Sequence, residues 1–318
     1  MKEYTTDLLR NVALVGHQGA GKTSLAESLL FNTGAVTRMG KVEEGNTVAD
    51  FDEDERSRTL SIYSSLLPIE FDGHKINIID APGFVDFQGE AKNAVRVADA
   101  AVVVVDAVAG PEVGTELAFD FAREFHLPAM VVINKMDREN ANFNQALSAM
   151  RQRFPNYRFV PVMLPIGAQA DFSGVVNVLT QKAYKGAGKD ASDLPGDMAD
   201  ELEMARLELI EAAAESDDAL MEKYFETETL SDDEIKEGMR AAAKNPDLNV
   251  VPVFVTSSTH SIGIVPLLEA LIVYVAPPSE RRVSVEAERG GEIEFLEGPL
   301  SDSGPTVAYV FHSHTDKY

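Results

Sequence analysis

The chain has 318 residues, 45% of them apolar, and carries 28 basic against 52 acidic side chains, a net charge of −24. That length and apolar content suit two or three domains with sizeable cores rather than a disordered chain. The absence of cysteine excludes a disulfide scaffold and a zinc–thiolate site, and the acidity argues against non-specific binding to nucleic-acid phosphates, which rests on Lys and Arg.

MKEYTTDLLR at the start has no long apolar core and no small-residue cleavage pattern, so no signal peptide is expected. The most apolar runs, such as AAVVVVDAV, fall well short of the ~20 residues a membrane helix needs. A soluble, cytoplasmic, monomeric protein without membrane contact is the expectation, its charge serving solubility.

NVALV (11–15) is an apolar run ending at Gly16, which suits a buried strand, and apolar positions at helical spacing follow over 22–31. Two strands are expected over 61–71 and 74–79, with Asp72-Gly73 as the hairpin turn between them. AAVVVVDA (100–107) and AMVVIN (129–134) are apolar throughout, the pattern of a parallel sheet covered on both faces. The segments 88–98 and 113–125 read as the covering helices. This alternation predicts an α/β fold, a doubly wound and mostly parallel sheet.

From Arg158 the pattern changes. RFVPVMLPIG reads as strand, AYKGAGKDASDLPGD as loop, and 200–215 and 232–243 as acidic helices, with Ser231 and Glu234 forming a capping box. VVPVFVTSS then returns to a buried strand, followed by a helix over 263–275. The division expected is 1–157 plus 249–280 as one α/β domain, 158–248 as an inserted α/β subdomain, and 281–318 as a hinge and the beginning of a β domain. In that last part APPSE reads as the hinge, GEIEFLEGPLSDSG as polar loop and TVAYVFHSH as a strand, at which the chain is expected to be cut within the domain. His312 and His314 would share a face of that strand, as ordinary side chains rather than metal ligands. The acidic run DFDEDE (50–55) reads as a solvated, mobile segment, and 201–215 as an exposed helical face, with docking of a basic protein as its alternative use.

GHQGAGKT, from Gly16 to Thr23, matches G-x-x-x-x-G-K-[ST] between a strand and a helix. Glycines let backbone N–H groups face phosphate oxygens, and the helix N-terminus adds its dipole. Lys22 would bridge the outer phosphates and the Thr23 hydroxyl would bind Mg²⁺. NKMD (134–137) follows the apolar strand AMVVI. A carboxylate at Asp137 can accept from guanine's N1–H and amino group, a donor pair adenine lacks. Asn134 would reach the Hoogsteen edge and the Lys135 stem would cover the ring. TSST, with Ser257, Ser258 and Thr259, would offer backbone N–H groups to the guanine oxygen, the alternative being a helix cap. The nucleotide expected is therefore GTP or GDP, and an ATP-using P-loop enzyme is disfavoured.

These motifs in this order, together with DEDERSRTLSI, GHKINIIDAPGFVDF, VDAVAGPEVGTE and INKMDR, resemble the translational GTPases, elongation factor G and its relatives in particular, over essentially the whole chain. The resemblance implies a P-loop GTPase with an inserted subdomain and the first strand of a β-barrel domain, with the ribosome as partner. It implies a phosphate site at His17, Gln18, Gly19, Ala20, Gly21, Lys22, Thr23 and Ser24, with Asp80 holding Mg²⁺ through a water. It also places the Gly83 N–H at the γ-phosphate and Ser61 where the family carries a magnesium-binding threonine. That serine is one of three departures from the pattern. Gly19 replaces an aspartate common in the family, and Phe84 falls on the catalytic histidine. A phenyl ring cannot orient a water, so the expectation is intact GTP binding with slow or rerouted hydrolysis. Gln18, where relatives often have an apolar residue, is the candidate to orient the water, with Phe84 as a dry wall; the alternative is a Gln18 that faces solvent. A ribosome-protecting GTPase and a GTP-binding regulator without significant hydrolysis are the competing readings.

Overall fold

The computed structural model describes residues 2–196, 198–289, 292–299 and 308–313. In chain order the elements are β1 (Leu9–Val15), α1 (Lys22–Asn32), α2 (Glu53–Arg58), β2 (Ser65–Phe71), β3 (His74–Asp80), α3 (Gln88–Val97), β4 (Ala100–Asp106), α4 (Val113–Glu124), β5 (Ala129–Asn134), α5 (Phe143–Arg153) and β6 (Arg158–Pro161). There follow β7 (Met163–Ile166), β8 (Gly174–Asn177), β9 (Lys182–Lys185), β10 (Ala191–Ser192), α6 (Ala199–Ala214), α7 (Asp218–Thr227), α8 (Asp232–Lys244), β11 (Val250–Val255), α9 (Ile264–Tyr274), β12 (Arg282–Arg289) and β13 (Glu292–Pro299).

The apolar runs do what their pattern demands. β4, β5 and β11 are buried at every position, which requires cover on both faces. They lie inside a seven-stranded sheet of order β2-β3-β1-β4-β5-β11-β6, parallel except for β2. β2 alternates buried and exposed residues, as an edge strand with one wet face does. It is joined to β3 through Asp72 and Gly73, both at positive φ (43° and 74°), the geometry of a tight hairpin turn. α1 packs against α9, and α3 against α4 and β1.

Register then sets the site. Leu14 of β1 pairs with Asp80, and Asp106 of β4 pairs with Asn134, so the strand ends that carry the motifs share one edge of the sheet. Successive connections leave β1 for β3 on one side and for β4 on the other, which opens the crevice where α/β sheets bind ligands.

Four expectations need correction. Arg158–Pro161, read as the start of the insertion, is hydrogen-bonded to β11 in the large sheet, because β11 offers an unpaired edge to an equally apolar run. The separate antiparallel sheet β10-β9-β8-β7 begins only at Met163, and it takes β9 and β10 from the stretch read as loop. Glu292–Pro299, also read as loop, pairs antiparallel with β12 along its whole length. The strand expected over 306–314 does not form in its described part, 308–313, while His314 lies outside the described residues. No helix among the described residues is long and apolar enough to cross a membrane.

At the opposite edge, Asp99 is buried beside β1, where its Oδ2 accepts from Asn11 N (2.9 Å) and Asn11 Nδ2 (2.8 Å). Burial pushes its carboxyl up from 3.8 to about 6, against the pull of those bonds and of Arg281. Between these two values the folded protein keeps a proton that the unfolded chain has lost. Stability therefore falls as pH rises through that window and levels off above about 6. Asp99→Asn, whose amide oxygen can take both Asn11 bonds, should lose this dependence. Urea midpoints from pH 4 to 7 should show wild type declining relative to the variant by up to about 3 kcal/mol.

Candidate nucleotide site

Gly16 closes β1 at φ 134°, and a Cβ there would collide with the Val104 carbonyl, so the loop can leave the sheet only with glycine. Gly19 and Gly21 also have positive φ, and the chain then enters α1, whose first-turn amides have no partners within the helix. His17 ties the loop to α4: its Nδ1 accepts from Gly114 N (3.2 Å) while Nε2 lies 3.4 Å from Glu112 Oε1. Buried Lys22 donates from Nζ to Gly16 O (3.1 Å) and His17 O (3.0 Å).

Asp80 follows β3 into the same space. Its Oδ2 accepts from Thr23 Oγ1 (2.8 Å), and its Oδ1 is buried without a hydrogen-bond partner among the described residues. Burial pushes Asp80 up and Lys22 down, each opposed by the other's charge. A buried carboxylate oxygen lacking a donor is costly unless a cation meets it. With Thr23 Oγ1 and Ser61 Oγ only 3.2 Å apart beside it, the donors are hard oxygens of the kind Mg²⁺ takes. The residues fit that ion.

Ser61 is placed by the acidic run, which is not the solvated segment expected. Asp50 is buried and takes the Ser61 hydroxyl proton on Oδ1 (2.7 Å), turning the serine lone pairs away from itself. Buried Glu55 accepts from Ile62 N (2.9 Å), Tyr63 N (3.0 Å) and Asp52 N (3.1 Å). Glu27 of α1, also buried, accepts from Val48 N (2.5 Å) and Gly40 N (3.0 Å). Glu90 of α3 accepts from Ser64 N (3.0 Å) and lies 3.4 Å from His312 Nδ1, whose ring meets Tyr63 edge-on. These carboxylates replace water at loop amides, a stronger use than solvation. The sequence did not distinguish them from their exposed neighbours Glu53 and Asp54.

Gly83 presses on the phosphate loop: a Cβ there would run into Lys22 Nζ and stand 2.7 Å from Gln18 N. Its backbone thus lies directly against Lys22 and Gln18. Phe84 is half-buried, edge-on to Phe87, and borders a small apolar recess with Gly16, Leu117 and Phe121. Gln18 is exposed on the loop opposite.

In the loop that follows β5, Asn134 is held by the chain itself. Its Oδ1 accepts from Thr256 Oγ1 (3.1 Å), Ser258 N (3.1 Å) and Ser258 Oγ (2.8 Å), and its Nδ2 donates to Ala20 O (3.1 Å). At most one N–H is left for a base. Lys135, at φ 65°, lays its stem over Gly21 and donates to Gly19 O and to Asp106 Oδ2 (2.8 Å). Burial works against the Asp106 charge, but Lys135 and the Val108 and Ala109 amides hold its carboxyl below the usual range. Asp137 accepts from Ser257 Oγ (2.5 Å) on Oδ1. Ser257 N–H goes to Ile262 O (3.1 Å), Ser258 N–H to Asn134 and Ser261 N–H to Ser258 O (3.2 Å), so the amides still to offer a ligand in this loop are those of Thr259 and His260. His260, 3.5 Å from Asp137 Oδ2, carried no signal in the sequence.

Residues 7–277 match the family described as Elongation factor Tu GTP binding domain. Among solved structures, the fold is similar to a crystal structure from Thermus thermophilus, at 35% identity and a TM-score of 0.80. That similarity covers 86% of this chain and 41% of the other, so the chain spans less than half the length of that relative.

Replacing Asn134 by Ala strands the Ala20 carbonyl and the Ser258 amide and unties the two loops. The variant should lose about 2–4 kcal/mol of stability and bind GDP and GTP more weakly by a common factor, as melting curves and nucleotide titrations would show.

Proposed function

Because the chain belongs to the Elongation factor Tu GTP binding domain family, we propose that it is the nucleotide switch of a translation factor resembling elongation factor G. It binds GTP with Mg²⁺ and acts on the ribosome, with 281–318 opening a second domain; the separate pairing of β12 with β13 supports that division. The observation that carries the reading is the Asn134 clamp. It fixes the phosphate loop and Asp137 as parts of one site, so that a triphosphate and a guanine can be read together.

The roles follow from position. The amides from Gly16 to Ser24 wrap the phosphates, Lys22 turns its ammonium from the loop carbonyls to the outer phosphates, and Asp137 reads the base while Lys135 covers it. Thr23, Ser61 and, through a water, Asp80 would hold the Mg²⁺, which would offset the charge of the outer phosphates. Asp50 keeps the Ser61 hydroxyl aimed at that ion, and Gly83 senses the γ-phosphate. Loss of that phosphate frees the 40–64 and 80–87 segments, the order–disorder switch of such proteins.

Hydrolysis is slow or takes an altered route. Phe84 contributes a dry wall, and the polar group beside the outer phosphate is Gln18. A regulator that binds GTP without significant turnover is the second reading, favoured by the apolar setting of Phe84. A ribosome-protecting GTPase shares all these residues.

Competition titration should show GTP and GDP displacing each other and ATP displacing neither; equal affinity for adenine nucleotides would defeat the proposal. Ribosome-stimulated turnover should rise by about two to three decades in Phe84→His, which restores a water-orienting group. It should fall in Gln18→Ala; an unchanged rate there removes Gln18 from the mechanism.

A further inference from the structure

Gly114 stands in the first turn of α4, buried against the phosphate loop. A Cβ there would lie 2.5 Å from His17 Cα and 2.8 Å from His17 N, so the two backbones are in direct contact. The φ of Gly114 is outside the left-handed region, so its conformation does not call for glycine. Glycine also weakens a helix relative to alanine. What the position requires is the space that a missing Cβ leaves for the loop.

Hydrogen bonds complete the contact. Gly114 N–H, one of the first-turn amides that a helix leaves unpaired, donates to His17 Nδ1 (3.2 Å). Nδ1 is therefore the bare nitrogen, and Nε2 with its hydrogen faces Glu112 Oε1 at 3.4 Å. Glu112 is itself fixed, because its N–H donates to Oγ1 of buried Thr115 (3.1 Å). On the far side Gly83 closes on the same stretch, where a Cβ would stand 2.7 Å from Gln18 N. Residues 17–18 thus run through a slot between two glycines. Lys22 Nζ donates to His17 O (3.0 Å) beside that slot, and the lysine of such a loop is the one that reaches the outer phosphates.

Resting on the reading of this loop as the phosphate site, we propose that Glu112 and Gly114 are positioning residues for the outermost phosphate, Glu112 acting through His17 and Gly114 by direct contact. They form a fixed backstop for residues 17–18, so that the amides of Gln18 and Gly19 meet the γ-phosphate without rearrangement. A diphosphate depends less on this end of the loop, because it rests on the amides that open α1. The backstop therefore sets the preference for GTP over GDP.

Titration of the whole chain with GDP and with a GTP analogue that resists hydrolysis, both with Mg²⁺, tests this in wild type, Gly114→Ala, Glu112→Ala and Glu112→Gln. Gly114→Ala should bind the triphosphate about tenfold more weakly, the worth of one amide–phosphate hydrogen bond, with GDP affinity kept. Glu112→Ala should shift the same ratio by about threefold, and Glu112→Gln, whose Oε1 still accepts from His17, should restore it. The Glu112 pair decides the matter if Gly114→Ala does not fold. An unchanged ratio of triphosphate to GDP affinity in the variants, or a loss of both nucleotides by one common factor, overturns the inference and leaves the phosphate site standing. If wild type binds neither nucleotide, the phosphate reading fails and the backstop with it.

Discussion

One buried amide holds the site in shape. Asn134 ends β5 between two neighbours, and its four hydrogen bonds reach the loop after β1 and the loop after β11. Each such bond contributes modestly to stability, but leaving any of these buried groups unpaired costs more than the bond gains. The three loops therefore keep one geometry or lose it together. A parallel sheet makes this possible, because it delivers Val15, Asn134 and Val255 to the same edge. The separation between Lys22 and Asp137 is consequently a property of the sheet, present before any nucleotide arrives.

The 40–64 segment is held by different means. Its amides are gathered by Glu27, Glu55 and Glu90, and its serine by Asp50, while Val48, Phe51 and Tyr63 remain exposed. Few apolar side chains anchor it, so it belongs to the low-stability end of the molecule. Charge-assisted hydrogen bonds impose a defined geometry without the apolar burial that would make release expensive. Part of the net charge of −24 is thus internal wiring rather than surface solvation.

What the sequence disclosed follows from how local each signal is. The strands β1, β4, β5 and β11 were legible because burial on both faces leaves a continuous apolar run, and the Asp72-Gly73 turn because only certain residues accept its dihedrals. The phosphate loop and NKMD were legible because backbone geometry and donor chemistry restrict them residue by residue. β6 was misassigned because its membership depends on which distant strand offers an edge, a fact no local pattern contains. Asp50 and Glu55 looked like their solvated neighbours because an inward carboxylate is distinguished only by the amides it meets, several of them contributed by later residues. The ties of Asn134 to Ala20 and Ser258 were missed for the same reason: these partners lie 114 and 124 residues away.

Binding and hydrolysis draw on different parts of this site. In the roles proposed for them, the phosphate-loop amides, Lys22 and Asp137 would act on the nucleotide before and during reaction alike, and interactions of that kind set affinity without lowering the chemical barrier. A group that orients the attacking water acts only as the reaction proceeds, so its loss lowers turnover and leaves affinity in place. The first set is cross-braced here through the sheet edge, and a change in any member disturbs several others. Phe84 shares no such hydrogen bonding: its ring rests on Phe87 and on an apolar recess that Gly16 also lines. On the roles proposed above, such a chain would change its rate of hydrolysis while its grip on the nucleotide stays fixed, because the fold couples the residues of the grip to one another and leaves Phe84 outside those hydrogen bonds.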